Sequence, residues 1–174
     1  ILIKKKIYGN NMAHFAEIKQ SDNIIIRVIV VSNDDVNSNG GEYSSGAETW
    51  VENNIPNDPT LLEKFGGTYP TTYWKQCSYN GNARKQYPGK DNHYYDSVKD
   101  KFICVKPYSS WTLNSNDDWE ASTAMPVQSN LLNNDPPLSG PLWEESNSRW
   151  SAVDEDNNYY IWNATNSTWD LTTE

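Results

Sequence analysis

Cysteine is scarce: Cys77 and Cys104 are the only two, which allows one bridge at most and excludes a disulfide scaffold. Each stands in a strand-like run, YWKQCSY and KFICVKP, so both are expected to be buried thiols. Histidine is as rare, with His14 and His93 alone. HExxH, CxxC, Gly-x-Ser-x-Gly and P-loop patterns are all missing, so the familiar metalloprotease, redox, hydrolase and nucleotide chemistries have no motif to rest on. A pairing of His93 with Cys77 or Cys104 is formally open, but nothing local marks either thiol as activated. The reading is a protein that binds rather than catalyses. Long apolar runs are missing too. No stretch nears the ~20 residues of a membrane span, and the first residues lack the apolar core and cleavage site of a signal peptide.

Apolar residues make up only 36% of the 174, and mean hydropathy is −0.82. That balance would suit a disordered chain if aromatics were also few. They are abundant: eight Trp, eleven Tyr and three Phe. Burying such rings offsets ordering entropy, so the chain folds around aromatic pairs more than around Leu, Ile and Val. Basic residues are nearly absent from the end: residues 107–174 hold eleven Asp and Glu against Arg149 alone. Trp74 to Lys106, by contrast, carries seven Lys and Arg against three Asp, within a net charge of −9. Such a chain does not hold duplex nucleic acid unless a patch overrides its field, so nucleic acid is not an expected partner. The basic middle, with Tyr79, Tyr87, Tyr94 and Tyr95, reads as a solvated sheet face. Self-association between that middle and the acidic end is the better use of the asymmetry.

The opening ILIKKKIYGNN has no initiating Met, and Met12 is the expected native start, with residues 1–11 a non-native leader. From Ala13, AHFAEI and the β-branched run IIIRVIVV flank a polar turn; the second run is expected to be a buried central strand. Residues 33–45 read as a loop. Two short helices are expected next. One is capped through the box spacing Ser45-Gly-Ala-Glu48. The other has Asp58 as cap, Pro59 in its first turn and Gly66-Gly67 at its end.

Four later segments share one design, an aromatic, a polar loop and a second aromatic: Tyr95-DSVKDK-Phe102, Trp111-TLNSNDD-Trp119, Trp143-EESNSR-Trp150 and Trp162-NATNST-Trp169. Residues seven apart across a four-residue loop can face each other as a cross-strand pair, with Asp96, Glu144 and Asn163 placed to cap the loops. The layout resembles the Tyr–Phe hairpin of the protein G B domain. The fold class is therefore α+β, mainly antiparallel β: a hairpin-rich twisted sheet with two short helices and a C-terminal Trp-hairpin appendage. Its expected parts are a main domain over 12–125, a Pro-rich linker over 126–141 and the appendage over 142–174. The Trp hairpins carry a second reading, in which exposed Trp143, Trp150, Trp162 and Trp169 bind a glycan or cell-wall polymer. The period from Trp143 to Trp162 is close to the Trp-rich repeats of choline-binding modules, although the glycines of such repeats are missing.

No cofactor is required by any motif, and calcium is the one candidate. Asp35-x-Asn37-x-Asn39-Gly40 has the early positions of an EF-type loop, but Gly46 stands where the closing Glu belongs. Asp154-x-Asp156-x-Asn158 echoes the same spacing with Tyr159 in place of the Gly. Turn chemistry accounts for both without an ion.

Read from Met12, the chain resembles a group of small proteins encoded by tailed phages of marine cyanobacteria and neighbouring ocean bacteria. AHFAEI (13–18), RVIVVSN (27–33), WKQCSYN (74–80), RKQYPG (84–89), YDSVKDKFI (95–103) and KPYSSWTLN (106–114) carry the resemblance, over about residues 12–125. Cys77 stands where the resemblance leads one to expect Thr. The group brings a setting rather than a reaction. Joined to the missing catalytic motifs and the charge asymmetry, that setting leads to the expectation of a non-enzymatic accessory protein, on the virion or in the host cytoplasm during infection, whose partners are phage structural proteins or further copies of itself.

Overall fold

The computed structural model describes residues 12–172; the expected leader, 1–11, lies outside the described residues. The fold is α+β with mainly antiparallel sheets, two short helices after the first strand pair, and a C-terminal region of Trp hairpins. It divides into two compact units, Ile1–Val105 and Lys106–Glu174. Among the described residues no helix is long and apolar enough to cross a membrane.

In the N-terminal unit, β1 (Met12–Lys19), β2 (Ile25–Ser32) and β3 (Thr72–Cys77) form an antiparallel sheet in the order β2-β1-β3. The central strand is thus AHFAEI, and the β-branched run expected at the centre lies at the edge, with Val30 exposed. A β-branched run signals strand propensity, not position in the sheet. β1 is central because both of its faces have something to bury. Ala13 and Phe15 pack with Val36 of α1 (Asn33–Ser38) and with Ala47 and Val51 of α2 (Ser45–Asn54). Ala16 and Ile18, on the opposite face, pack with Tyr95 and Phe102 of the hairpin β4 (His93–Asp96) and β5 (Lys101–Cys104). Helices, sheet and hairpin make three layers. Burying a side chain such as Phe15 contributes about 1.5–3 kcal/mol.

The helices sit slightly differently from expectation. Ser44, not Ser45, caps α2, accepting from the Ala47 N–H at 3.0 Å. Glu48 does not reach back to close a capping box; it is buried and turns to Lys75 (2.6 Å) and Arg84 (2.8 Å). The segment after Asp58 keeps its cap and its Pro59, but winds into two 3₁₀ turns, Pro59–Leu61 and Glu63–Phe65, that end on left-handed Gly66. α1 falls inside the stretch expected to be a loop. Ser32 caps it and Asp34 and Asp35 occupy its first turn, which suits the helix dipole. Cys77 is buried as expected, whereas Cys104 is exposed, at the last position of an edge strand.

The C-terminal unit holds a small ladder, β6 (Thr112–Leu113) with β7 (Trp119–Glu120), and a four-stranded antiparallel meander whose strands neighbour one another in chain order. The meander's strands are β8 (Ser139–Glu144), β9 (Arg149–Val153), β10 (Tyr159–Asn163) and β11 (Thr168–Leu171). Trp143 faces Trp150 and Trp162 faces Trp169 as direct cross-strand partners, as Tyr95 faces Phe102 in the other unit. Asp96 caps its loop through the Val98 and Lys99 N–H groups, and Asn163 through the Asn166 N–H. Glu144 instead holds its loop through the side chains of Asn147 and Arg149.

One hairpin breaks the pattern. Asn114 accepts from the N–H groups of Asn116 and Asp118, which closes a five-residue loop. Leu113 therefore opposes Trp119, and Trp111 does not. The Pro-rich stretch 126–141 is not an extended linker either. It contains the helix α3 (Gln128–Leu132) and sends Leu131 and Leu138 into the core of this unit. The boundary between units consequently falls at Val105/Lys106 rather than near residue 125.

Candidate binding site

Trp143, Trp150 and Trp169 are 7%, 4% and 6% exposed, and Trp162 is half-buried against the same cluster. These four do not form an exposed platform; they are the core of the C-terminal unit. Cross-strand pairing puts both rings of a hairpin on one face of the meander, and a unit this small, with few Leu and Ile, must bury that face. Trp143 and Trp150 meet edge to face with centroids 5.0 Å apart, Trp162 and Trp169 at 5.2 Å. Such pairs contribute about 0.5–1.5 kcal/mol beyond burial.

The opening lies beside them, built by the segment before α3. Trp111 packs edge-on against Trp143 (6.0 Å) and Trp150 (5.9 Å), and Tyr108 packs on Trp111 (5.2 Å). Two hydrogen-bonding devices hold this segment over the meander. Glu145 accepts from the Ser110 N–H and hydroxyl, both at 2.8 Å, from Trp143 Nε1 at 2.9 Å, and from the Ser109 hydroxyl. Further along, Trp150 Nε1 donates to the Thr123 carbonyl at 2.8 Å. Between them opens a cleft of about 550 Å³ lined by Trp111, Trp119 and Trp150 with Glu120, Thr123 and Met125. That volume falls in the range of small-molecule sites, roughly 300–1,000 Å³. The Nε1–H groups of Trp111 and of Trp169, in the core of the unit, are both buried and meet no acceptor. Lys106 Nζ stands 5.4 Å from the centroid of the Trp119 ring. The unit around the cleft carries the chain's whole net charge, eleven Asp and Glu against Lys106 and Arg149.

Acid should loosen this unit. The Ser109 hydroxyl, then Trp143 Nε1 and Ser110, hold the Glu145 carboxyl down to about 2. Desolvation pushes Glu144 up, but hydrogen bonds from Tyr159, Asn147 and Arg149 outweigh it and hold that carboxyl at about 2 as well. Each binds its proton more weakly folded than unfolded. Their stabilisation is therefore complete above the ordinary value of 4.5 and is lost as pH falls toward 2. Near-UV circular dichroism, dominated by the Trp pairs, is expected to fade over that window. An unchanged signal down to pH 2 would contradict these assignments.

The other sequence candidates lie apart from the cleft. Asp35 and Asn37 are on α1, and Asn39 caps its C-terminus, donating its amide to the Asp35 carbonyl at 2.7 Å. A helix turns residues two apart to different faces, whereas a calcium loop needs them to converge. Asp154 is engaged by its own turn, accepting from the Asp156 and Asn158 N–H groups and from the Asn158 amide. Among the described residues no group of three or more His, Cys, Asp or Glu side chains converges as a metal site would require. In the basic middle, Lys75 and Arg84 face inward to Glu48, and Arg84 also to Asp100 (2.7 Å), so those charges serve the fold.

Sequence does not single out Trp111 and Trp119 as binding residues, because the repeat period that suggests a binding surface runs from Trp143 to Trp162 and leaves them out. The extra residue in their segment's spacing is the signal that separates it. Comparison of the chain with family models, with curated proteins and with solved structures returns no match.

Proposed function

We propose that this is a non-enzymatic accessory protein, working in the tailed-phage setting its resemblance implies, on the virion or in its assembly. Its C-terminal unit is the binding part, and its ligand is a saccharide of a surface glycan held in the Trp111–Trp119–Trp150 cleft. The observation that carries this reading is the cleft itself: three tryptophans around one opening, with Glu120, Ser122 and Thr123 beside them. A sugar ring offers C–H faces that stack on indoles and hydroxyls that bond to carboxylates and backbone groups.

Trp119→Ala separates binding from folding, because Trp119 is half-exposed and stands outside the buried cluster. In calorimetric titrations of the whole chain with host-surface polysaccharides, the wild type is expected to bind. Trp119→Ala is expected to weaken binding at least about tenfold with an unchanged circular dichroism spectrum. Flat titrations across the polysaccharides, or equal affinity of the variant, would remove this reading.

A further inference from the structure

His93 and Cys104 are directly opposed across the β4–β5 hairpin, and Cys104 Sγ lies 3.3 Å from His93 Nε2. The backbone N–H of Gly89 donates to His93 Nδ1 at 2.9 Å. A ring nitrogen that accepts carries no proton, so in the neutral ring the proton sits on Nε2 and faces the sulfur. Burial holds His93 below the usual histidine range, which keeps the ring neutral near pH 7. Gln86 brings a second donor: its Nε2 is anchored on the Phe102 carbonyl at 2.8 Å and lies 3.8 Å from Sγ. A Cβ at Gly89 would stand 3.3 Å from His93 Nδ1, so the ring packs closely on this backbone. Cys104 is exposed, while Cys77 is buried and its thiol is pushed up to about 12 by that burial.

The polarity is opposite to that of a cysteine-protease dyad, in which the imidazole accepts the thiol proton. Here Nε2 already holds a proton and donates. Such an arrangement does not prepare acyl transfer. It favours the negative charge that sulfur carries when it attacks a soft electrophile.

We propose that Cys104 is a thiol–disulfide exchange site for low-molecular-weight disulfides of the glutathione type, with His93 and Gln86 as positioning residues. The Cys104 thiolate attacks one sulfur of the disulfide. A Cys104–sulfur bond forms as the original S–S bond breaks, and the other half leaves as a thiolate that takes a proton from water. Cys104 is thereby oxidised to a mixed disulfide while the released half is reduced to a thiol. The site rests on the N-terminal unit alone and stands or falls independently of the cleft.

The test is the rate of reaction of the full chain with glutathione disulfide, with the adduct mapped by peptide mass spectrometry. One adduct is expected, on Cys104, and Cys104→Ser should abolish it. His93→Ala uncovers the sulfur yet is expected to slow the reaction about tenfold, the worth of one hydrogen bond to a charged group. His93→Gln, which retains an N–H donor, should recover most of the rate. Modification at Cys77, or a His93→Ala rate equal to or above wild type, would overturn the proposal by reducing the effect to simple exposure. So would a His93→Gln rate as slow as that of His93→Ala.

Discussion

Trp150→Ala is expected to lower the stability of the C-terminal unit by about 3–5 kcal/mol, the usual cost of emptying a large aromatic site. Trp150 is 4% exposed and touches Trp143 across the hairpin and Trp111 above it. Its Nε1–H also holds the Thr123 carbonyl. One substitution thus removes a core ring, two ring contacts and an anchor of the cleft. A unit of this size has only a few kcal/mol in hand, so the variant should be largely unfolded there at 25 °C. Leu142→Ala, one strand away and 64% exposed, is the control, expected within about 0.5 kcal/mol of wild type. Urea titration followed by Trp fluorescence checks both. Equal midpoints for the two variants would mean that the Trp cluster is not the core.

The second large effect is expected at Arg84. Its guanidinium reaches Glu48 at 2.8 Å, the Gln76 carbonyl at 2.6 Å and Asp100 at 2.7 Å. It thereby joins α2, β3 and the β4–β5 hairpin. Arg84→Ala leaves the buried Glu48 carboxylate with Lys75 as its remaining cationic partner. The loss should be about 3 kcal/mol, the low end for breaking a buried pair because Lys75 stays. Glu48→Ala together with Arg84→Ala should cost clearly less than the two single losses summed, since each single variant strands the other's partner. Additivity within about 0.5 kcal/mol would sink the coupling. The exposed pair Lys64–Asp91 offers the contrast: Lys64→Ala should cost about 1 kcal/mol or less.

The hairpins were legible because their geometry is local. Six polar residues between two aromatics close a four-residue loop, and three of the four segments with this design pair their rings as that spacing requires. The place of β1 at the centre of its sheet was not legible, because it depends on which distant segments cover its two faces. Glu48 illustrates the same limit. Its position suits a capping box, and only the fold brings Lys75 and Arg84 to it. The helix α1 could have been found from Ser32 followed by Asp34 and Asp35, a cap and an acidic first turn, had the polar composition of the stretch not argued for a loop. Proline density similarly hid α3, because four prolines spread over residues 126–141 still leave room for one helical turn and two buried leucines.

For the site, periodicity pointed to the right kind of residue in the wrong places. The tryptophans that keep the six-residue spacing are structural. In the segment that departs from it, Leu113 rather than Trp111 stands opposite Trp119 across the ladder, and both tryptophans line the cleft.

If the cleft is where the chain binds, its indoles must report the ligand. Nitrogen–proton correlation spectra of the eight indole groups, recorded while a host-surface oligosaccharide is added, test it most directly. Shifts of the Trp111, Trp119 and Trp150 Nε1–H signals are expected, with little change at Trp162 and Trp169. Saturable binding that leaves these three signals in place while others move would contradict it.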